Sequence, residues 1–236
     1  LVANRGEIAY RIMRTLSQMG ISTVAIYHAA ETKARHVQMA DKAVEIYGET
    51  PVAAHLDMGQ IIEIARNLEV DAIHPGYGFL SENANFAAAV ADAGMTFIGP
   101  DAETIALMGD KISARNFAEK HNVAVAPSVM PTDDLDDFIE KAAGIGYPLL
   151  IKAAAGGGGK GMSIVREAAA LVEAARVASS EALRYFGDGR VYAETYVDHP
   201  RHIEVQVLGD GKGGAIHLPE DYRRSPCAEP FCRIAR

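Results

Sequence analysis

The chain has 236 residues, 49% of them hydrophobic and 23% charged, the balance of a globular protein with room for one large domain or two smaller ones. Its formal net charge of −8 argues against non-specific nucleic-acid binding, which needs a basic surface. No apolar run approaches the roughly 20 residues of a membrane-spanning helix, so no membrane span is expected.

Residues 2–3 read as the end of a strand already under way at Leu1, which points to further residues upstream, a transit peptide among the options. A helix is predicted over 5–19, with Ile8, Ile12, Leu16 and Met19 on one face, and Gly20 stops it. Residues 23–27 and 43–47 read as strands, 61–68 as part of a helix, and 72–74 as a short buried strand closed by Pro75 and Gly76. A helix over 85–93 and a strand over 95–98 follow. This alternation predicts a parallel sheet with helices on both faces.

The texture changes after about residue 125. The pattern predicts a helix over 133–145, a strand over 148–153, a glycine run, a strand over 163–165 and a helix over 168–180. Strands over 190–196, 201–208 and 214–218 follow, the last two joined by the turn Gly209-Asp210-Gly211. Short turns between strands predict an antiparallel sheet with helices on one face. The boundary falls in the proline-bearing segment 127–131, giving an α/β domain over 1–127, a second domain over 128–218 and a tail over 219–236.

The strongest chemical signal is the stretch from Lys152 through Gly156, Gly157, Gly158, Gly159, Lys160 and Gly161 to Met162. Consecutive glycines permit positive φ and expose amides that can cup phosphate oxygens. No Ser or Thr follows the Gly-Lys pair, so this is no Walker A loop. The dinucleotide fingerprint is also missing, because the first strand runs into Arg5-Gly6-Glu7. Alone, the run reads equally as a flexible hairpin. Lys152 adds weight, because it follows Leu149-Leu150-Ile151 and a buried ammonium there needs an anion. A carboxylate or a phosphate would serve, and the glycines favour phosphate.

Residues 201–208 alternate, with Ile203, Val205 and Val207 expected in the core and His202, Glu204 and Gln206 on the other face. Glu194, one strand earlier, can accept from an adenine amino group or a ribose hydroxyl, or be an ordinary surface acid. The loop His74-Pro75-Gly76-Tyr77-Gly78-Phe79-Leu80-Ser81-Glu82-Asn83 leaves the carboxyl end of a strand, where open α/β sheets bind ligands. Ser81 or Asn83 is placed to cap the next helix. Tyr77 is the residue that a rigid turn explains least. Arg5, at the end of the first strand, either binds an anion or pairs with a carboxylate of the fold.

Together these segments resemble the biotin carboxylase family. The resemblance is carried by Val2 through Ala9, His74 through Asn83, Phe97-Ile98-Gly99-Pro100, Met108-Gly109-Asp110-Lys111, Lys152 through Met162 and Pro200 through Val207. The version of the glycine loop here leans slightly toward the acyl-CoA carboxylases. The resemblance implies an N-terminal α/β domain followed by an ATP-grasp lid that closes on ATP. It implies that Lys111 and Lys152 contact ATP phosphates, that residues 156–162 cover them, and that Glu194, Thr195, Tyr196 and Val197 hold the adenine and ribose edge. It further implies that His202 contacts the nucleotide and that Tyr77 and Gly78 lie near biotin. The implied chemistry is attack of bicarbonate on the γ-phosphate, giving carboxyphosphate, then carboxylation of biotin N1. Magnesium accompanies the nucleotide. The implied partners are a biotin carboxyl carrier and a carboxyltransferase, in a homodimeric complete protein of the cytoplasm or, behind a transit peptide, the mitochondrion.

The match fails after Leu218, where relatives continue into Glu-Arg-Asp-Cys and a Gln-Lys pair that helps bind bicarbonate. Here 219–236 cannot be aligned, as a frameshift or truncation would produce, and its Cys227 and Cys232 form a poor zinc site. These two cysteines, the only ones, speak for a reducing compartment rather than a disulfide framework. Ser163 stands where many relatives carry arginine. The family's metal carboxylates, base and bicarbonate arginine match nothing in the chain, so the expectation is a C-terminal half missing and negligible turnover by this chain alone. The alternatives are a non-catalytic ATP-binding fragment or another ATP-grasp ligase.

Overall fold

The computed structural model describes residues 1–132, 134–154, 162–199 and 205–217. The chain divides after Gly109 into two compact units.

In the first unit, helix α1 (Gly6–Gln18) is followed by β1 (Val24–His28), α2 (Arg35–Met39) and β2 (Lys42–Ile46). Next come α3 (Pro51–Leu56), α4 (Met58–Asn67), β3 (Ala72–Ile73), α5 (Ala84–Asp92), β4 (Thr96–Phe97) and α6 (Ala102–Gly109). Strands β1 and β2 pair in parallel, as do β3 and β4. Val2 bridges the two pairs: its N–H donates to Val24 O at 2.9 Å, and Ala3 N–H donates to His74 O at 2.9 Å. The chain therefore leaves a central strand first toward β1 and β2, then returns to its other side for β3 and β4. This is the doubly wound topology expected from the sequence. The core between sheet and helices holds Ile26, Ile46, Ile61, Ile73, Phe86 and Val90.

The second unit begins with α7 (Lys111–Lys120). It continues through β5 (Ser128–Val129), α8 (Leu135–Ala143), β6 (Leu149–Ala153), β7 (Met162–Val165), α9 (Leu171–Phe186), β8 (Val191–Thr195), β9 (Val207–Gly209) and β10 (Ala215–His217). Four strands form an antiparallel sheet in the order β5-β8-β6-β7. Strand side chains alternate between faces. Leu149, Ile151, Ala153, Val191 and Ala193 accordingly pack with Phe138 and Ala142 of α8 and with Ala175, Ala178 and Ala182 of α9. Alanines at helical spacing let α9 approach the sheet closely.

Three expectations are corrected. The changeover between units precedes α7, whereas sequence texture puts it at 127–131. Asp110 caps α7, its carboxylate accepting from Ser113 N–H at 2.7 Å, and α7 reaches the second sheet through Arg115. Val207, expected in the core, is 55% exposed, because β9 pairs only with β10 among the described residues. No helix was anticipated over 101–122, yet α6 and α7 lie there, and α2 and α3 are short helices likewise unforeseen.

A buried polar cluster lies in the first unit. Glu31 accepts from the His28 N–H and the His55 ring, each at 3.0 Å, and pairs with Arg5 at 2.6 Å. Arg5 thus takes the fold-carboxylate option. Burial would raise the Glu31 carboxyl, but the His28 N–H, the His55 ring and Arg5 together hold it below its ordinary value. Burial also pushes His36 and His55 below the ordinary histidine value of 6.5, with Glu31 opposing. The unfolded chain therefore takes up these protons first. Their influence on stability is nil well above 6.5 and destabilising as the pH falls below it, until the folded values are reached. Urea midpoints of the first unit should drop on acidification through this range, and His36→Met should flatten that limb; an unchanged pH slope in the variant would count against burial as the cause.

Candidate functional site

Two constellations sit where the sequence places chemistry, one in each unit. In the first unit, the loop after β3 is held by Asn4, a buried residue at the end of the central strand. Its Nδ2 donates to Pro75 O at 2.7 Å and to Tyr77 O at 2.8 Å, and its Oδ1 accepts from Arg5 N–H at 2.9 Å. Gly76 has φ +67°, and a Cβ there would come within 2.6 Å of Asn4 Nδ2, so the close clamp requires glycine. His74 Nδ1 accepts from Gly76 N–H at 3.0 Å. Asn83, rather than Ser81, caps α5 by accepting from Phe86 N–H at 2.9 Å. Tyr77 is left 61% exposed beside Gly78, on a rigid loop at the carboxyl edge of the parallel sheet, where strand order reverses.

In the second unit, the sheet face turned away from α8 and α9 carries Leu150, Lys152, Tyr192 and Glu194. Lys152 lies opposite Tyr192 on one side and Met162 on the other. Glu194 is therefore its diagonal neighbour across β6 and β8, within reach of a long side chain. The Lys152 ammonium donates to Glu194 Oε1 at 2.5 Å, and both groups are largely buried. Arg115 Nη1 stands 3.7 Å from the second oxygen, Glu194 Oε2. Lys152 Nζ also lies 6.0 Å from the centre of the Tyr192 ring, a weak cation–π distance. Burial, then the Glu194 charge, push the Tyr192 phenol far above its ordinary value, with Arg115 opposing, so Tyr192 is a neutral hydrogen-bonding group.

The sequence leaves a carboxylate or a phosphate open as the anion for Lys152, and the fold supplies a carboxylate, Glu194. The same contact engages the acid expected at the adenine edge. Lys111 opens α7, one turn before Arg115 on the same stripe of the helix. At the end of β8, Thr195 N–H donates to Pro127 O and Tyr196 N–H, just past it, to Pro148 O, each at 3.0 Å, and Val197 is exposed. Gly156, Gly157, Gly158, Gly159, Lys160, Gly161 and His202 lie outside the described residues, as does the tail from Leu218 onward. Arg115 was not singled out from the sequence. Its signal was the i, i+4 spacing from Lys111 behind the helix-capping Asp110.

Residues 1–105 match the family described as biotin carboxylase, N-terminal domain, and residues 110–224 that described as carbamoyl-phosphate synthase L chain, ATP binding domain. The chain is 44% identical over 221 residues to biotin carboxylase of Pseudomonas aeruginosa, covering 92% of this chain and 49% of the relative. It is 47% identical over 222 residues to pyruvate carboxylase of Bacillus subtilis, covering 93% of this chain and 19% of the relative. Among solved structures, the biotin carboxylase domain dimer of Hydrogenobacter thermophilus 2-oxoglutarate carboxylase, in complex with MgADP, ADP and bicarbonate, matches with a TM-score of 0.86. That match is at 45% identity and covers 93% of this chain and 48% of the neighbour. The chain comprises a biotin carboxylase N-terminal domain and an ATP-binding domain, homologous to the N-terminal portions of biotin carboxylase and pyruvate carboxylase. It spans 49% of the one relative and 19% of the other. The family changeover, between residues 105 and 110, coincides with the division between the compact units.

Among the described residues of this face the buried groups are two cations, Lys152 and Arg115, and one acid, Glu194, so their removal should be asymmetric. Lys152→Met leaves Glu194 with Arg115 and should cost about 1 kcal/mol or less. Glu194→Gln leaves Lys152 without its acid and Arg115 with only the exposed Glu119, and should cost about 3 kcal/mol. Urea unfolding of the two variants checks this, and equal losses would contradict the count.

Proposed function

We propose that the second unit binds the phosphates of ATP on the Lys152 face of its sheet, and that the chain supplies the nucleotide-binding front of a biotin carboxylase. In this reading bicarbonate attacks the γ-phosphate to give carboxyphosphate, and the carboxyl group passes to N1 of biotin presented by a carrier domain or protein. A carboxyltransferase then chooses the final acceptor. The observation that carries the reading is the buried Lys152 ammonium beside a second buried cation, with, among the described residues, one buried carboxylate between them. Such a face favours an incoming anion.

The residues then divide by task. Lys152 and Lys111 place positive charge against the phosphates, where phosphoryl transfer depends on positioned charge rather than covalent chemistry. The glycine run 156–159 with Lys160, Gly161 and Met162 would close over them, and His202 would meet the nucleotide. Glu194, Thr195, Tyr196 and Val197 would form the adenine and ribose edge. The Thr195 and Tyr196 amides are already engaged, which leaves Val197, just past β8, as the group most open to a base there. Magnesium would neutralise phosphate charge when it enters with the nucleotide. Among the described residues no group of three acidic, histidine or cysteine side chains forms a metal cage, so no side chain is assigned to it. Tyr77 and Gly78 would face the biotin ring from the Asn4-clamped loop. In the complete protein a homodimer is the proposed assembly, in the cytoplasm or mitochondrion. The structural neighbour's bound MgADP and bicarbonate support the nucleotide and the substrate, and its description as a dimer supports the assembly.

Calorimetric titration of ATP into the full chain tests the reading. The natural chain should bind, and Lys152→Met should weaken binding by about tenfold or more, the value of a charge-assisted hydrogen bond. Undiminished affinity in the variant would remove Lys152 from the site.

A further inference from the structure

Arg115 is a mid-helix residue whose side chain is 6% exposed, and its Nε and Nη2 have no hydrogen-bond partner among the described residues. The acids near it are Glu194 Oε2, 3.7 Å from Nη1, and Glu119, one turn along α7, 3.6 Å from Nε and 52% exposed. A buried guanidinium with unused donors, standing just beyond hydrogen-bond distance of a buried carboxylate, is poised rather than satisfied. The two oxygens of Glu194 are divided: Oε1 holds Lys152 at 2.5 Å and Oε2 faces Arg115.

We propose that Arg115 is a positioning residue that takes over Glu194 when Lys152 turns to a nucleotide phosphate. The proposal rests on the reading that this face binds ATP. Were Lys152 to leave without a substitute, Glu194 would become an unpaired buried carboxylate, a penalty that would be subtracted from binding. Arg115 removes that obstacle. Closing the 3.7 Å gap by about 1 Å makes a charge-assisted bond, and the planar fork can engage both carboxylate oxygens at once. Lys152 then brings its full charge to the phosphate, while Glu194 stays neutralised and fixed. Arg115 touches no phosphate in this scheme. Its effect on the nucleotide passes entirely through the acid it holds.

The test compares ADP with adenosine, the probe without phosphates, by titration into the full chain. Arg115→Met should weaken ADP binding by about tenfold and leave adenosine unchanged, because Glu194 then retains Lys152. In the Glu194→Gln background, where no acid competes for Lys152, Arg115→Met should change ADP affinity by less than about twofold. Equal loss of ADP and adenosine affinity, or the same ADP loss with and without Glu194, overturns the proposal, since a packing role or a direct phosphate contact would not depend on the acid. If Arg115→Met alone does not fold, Arg115→Lys decides. A lysine too short to reach Glu194 should show the ADP-specific loss, again removed by Glu194→Gln, and absence of that removal refutes the exchange. A natural chain that binds neither ligand refutes the ATP reading itself and this inference with it. Failure of the exchange alone leaves natural ADP binding intact.

Discussion

A lysine on a strand buried along its whole length cannot keep its charge without an anion, and the second unit is organised around that requirement. Antiparallel pairing of β6 with β8 puts Tyr192 opposite Lys152 and Glu194 one diagonal step away, so strand register delivers the acid to the ammonium. On the opposite face of the same strands Leu149, Ile151, Ala153, Val191 and Ala193 pack against α8 and α9. One sheet thus separates a dry core from a charged surface, and Arg115 of α7 adds a second cation on the charged side. Among the described residues these two buried cations share one buried carboxylate, which supports the proposal that this face accepts an anion.

The first unit meets a comparable constraint with backbone rather than charge. Carbonyls of the loop after β3 point at the end of the central strand, where chain direction leaves them without sheet partners. Asn4 serves two of them through one amide nitrogen, which is why Gly76 must pass so close. A rigid loop then presents an exposed aromatic side chain at the reversal of strand order.

Much of this was legible in the sequence because periodicity reports burial. The period of 3.6 in α1 and the β-branched run of β1 placed the parallel layer, and the glycine turn placed the hairpin of β9 and β10. Short helices escaped for the same reason: α2 and α3 have too few residues to show a period, and α7 is mostly polar. Their capping residues, Thr50 before α3 and Asp110 before α7, were the available signals. Lys152 was recognised as an unusual charge, but its partner lies 42 residues away and is chosen by strand register, which no local pattern encodes. Arg115 carried only the weak signal of its spacing from Lys111, since its role arises where α7 meets the sheet. The core assignment of Val207 followed alternation faithfully. It failed because alternation marks a buried face only when something covers the strand.

The central claim is that the Lys152 ammonium is held by Glu194 until a phosphate replaces it. A crystal structure of the full chain with ADP measures this directly. The account predicts Lys152 Nζ within hydrogen-bond distance of a phosphate oxygen, with Glu194 drawn onto Arg115. Lys152 still bonded to Glu194, with the phosphates seated elsewhere, would contradict it.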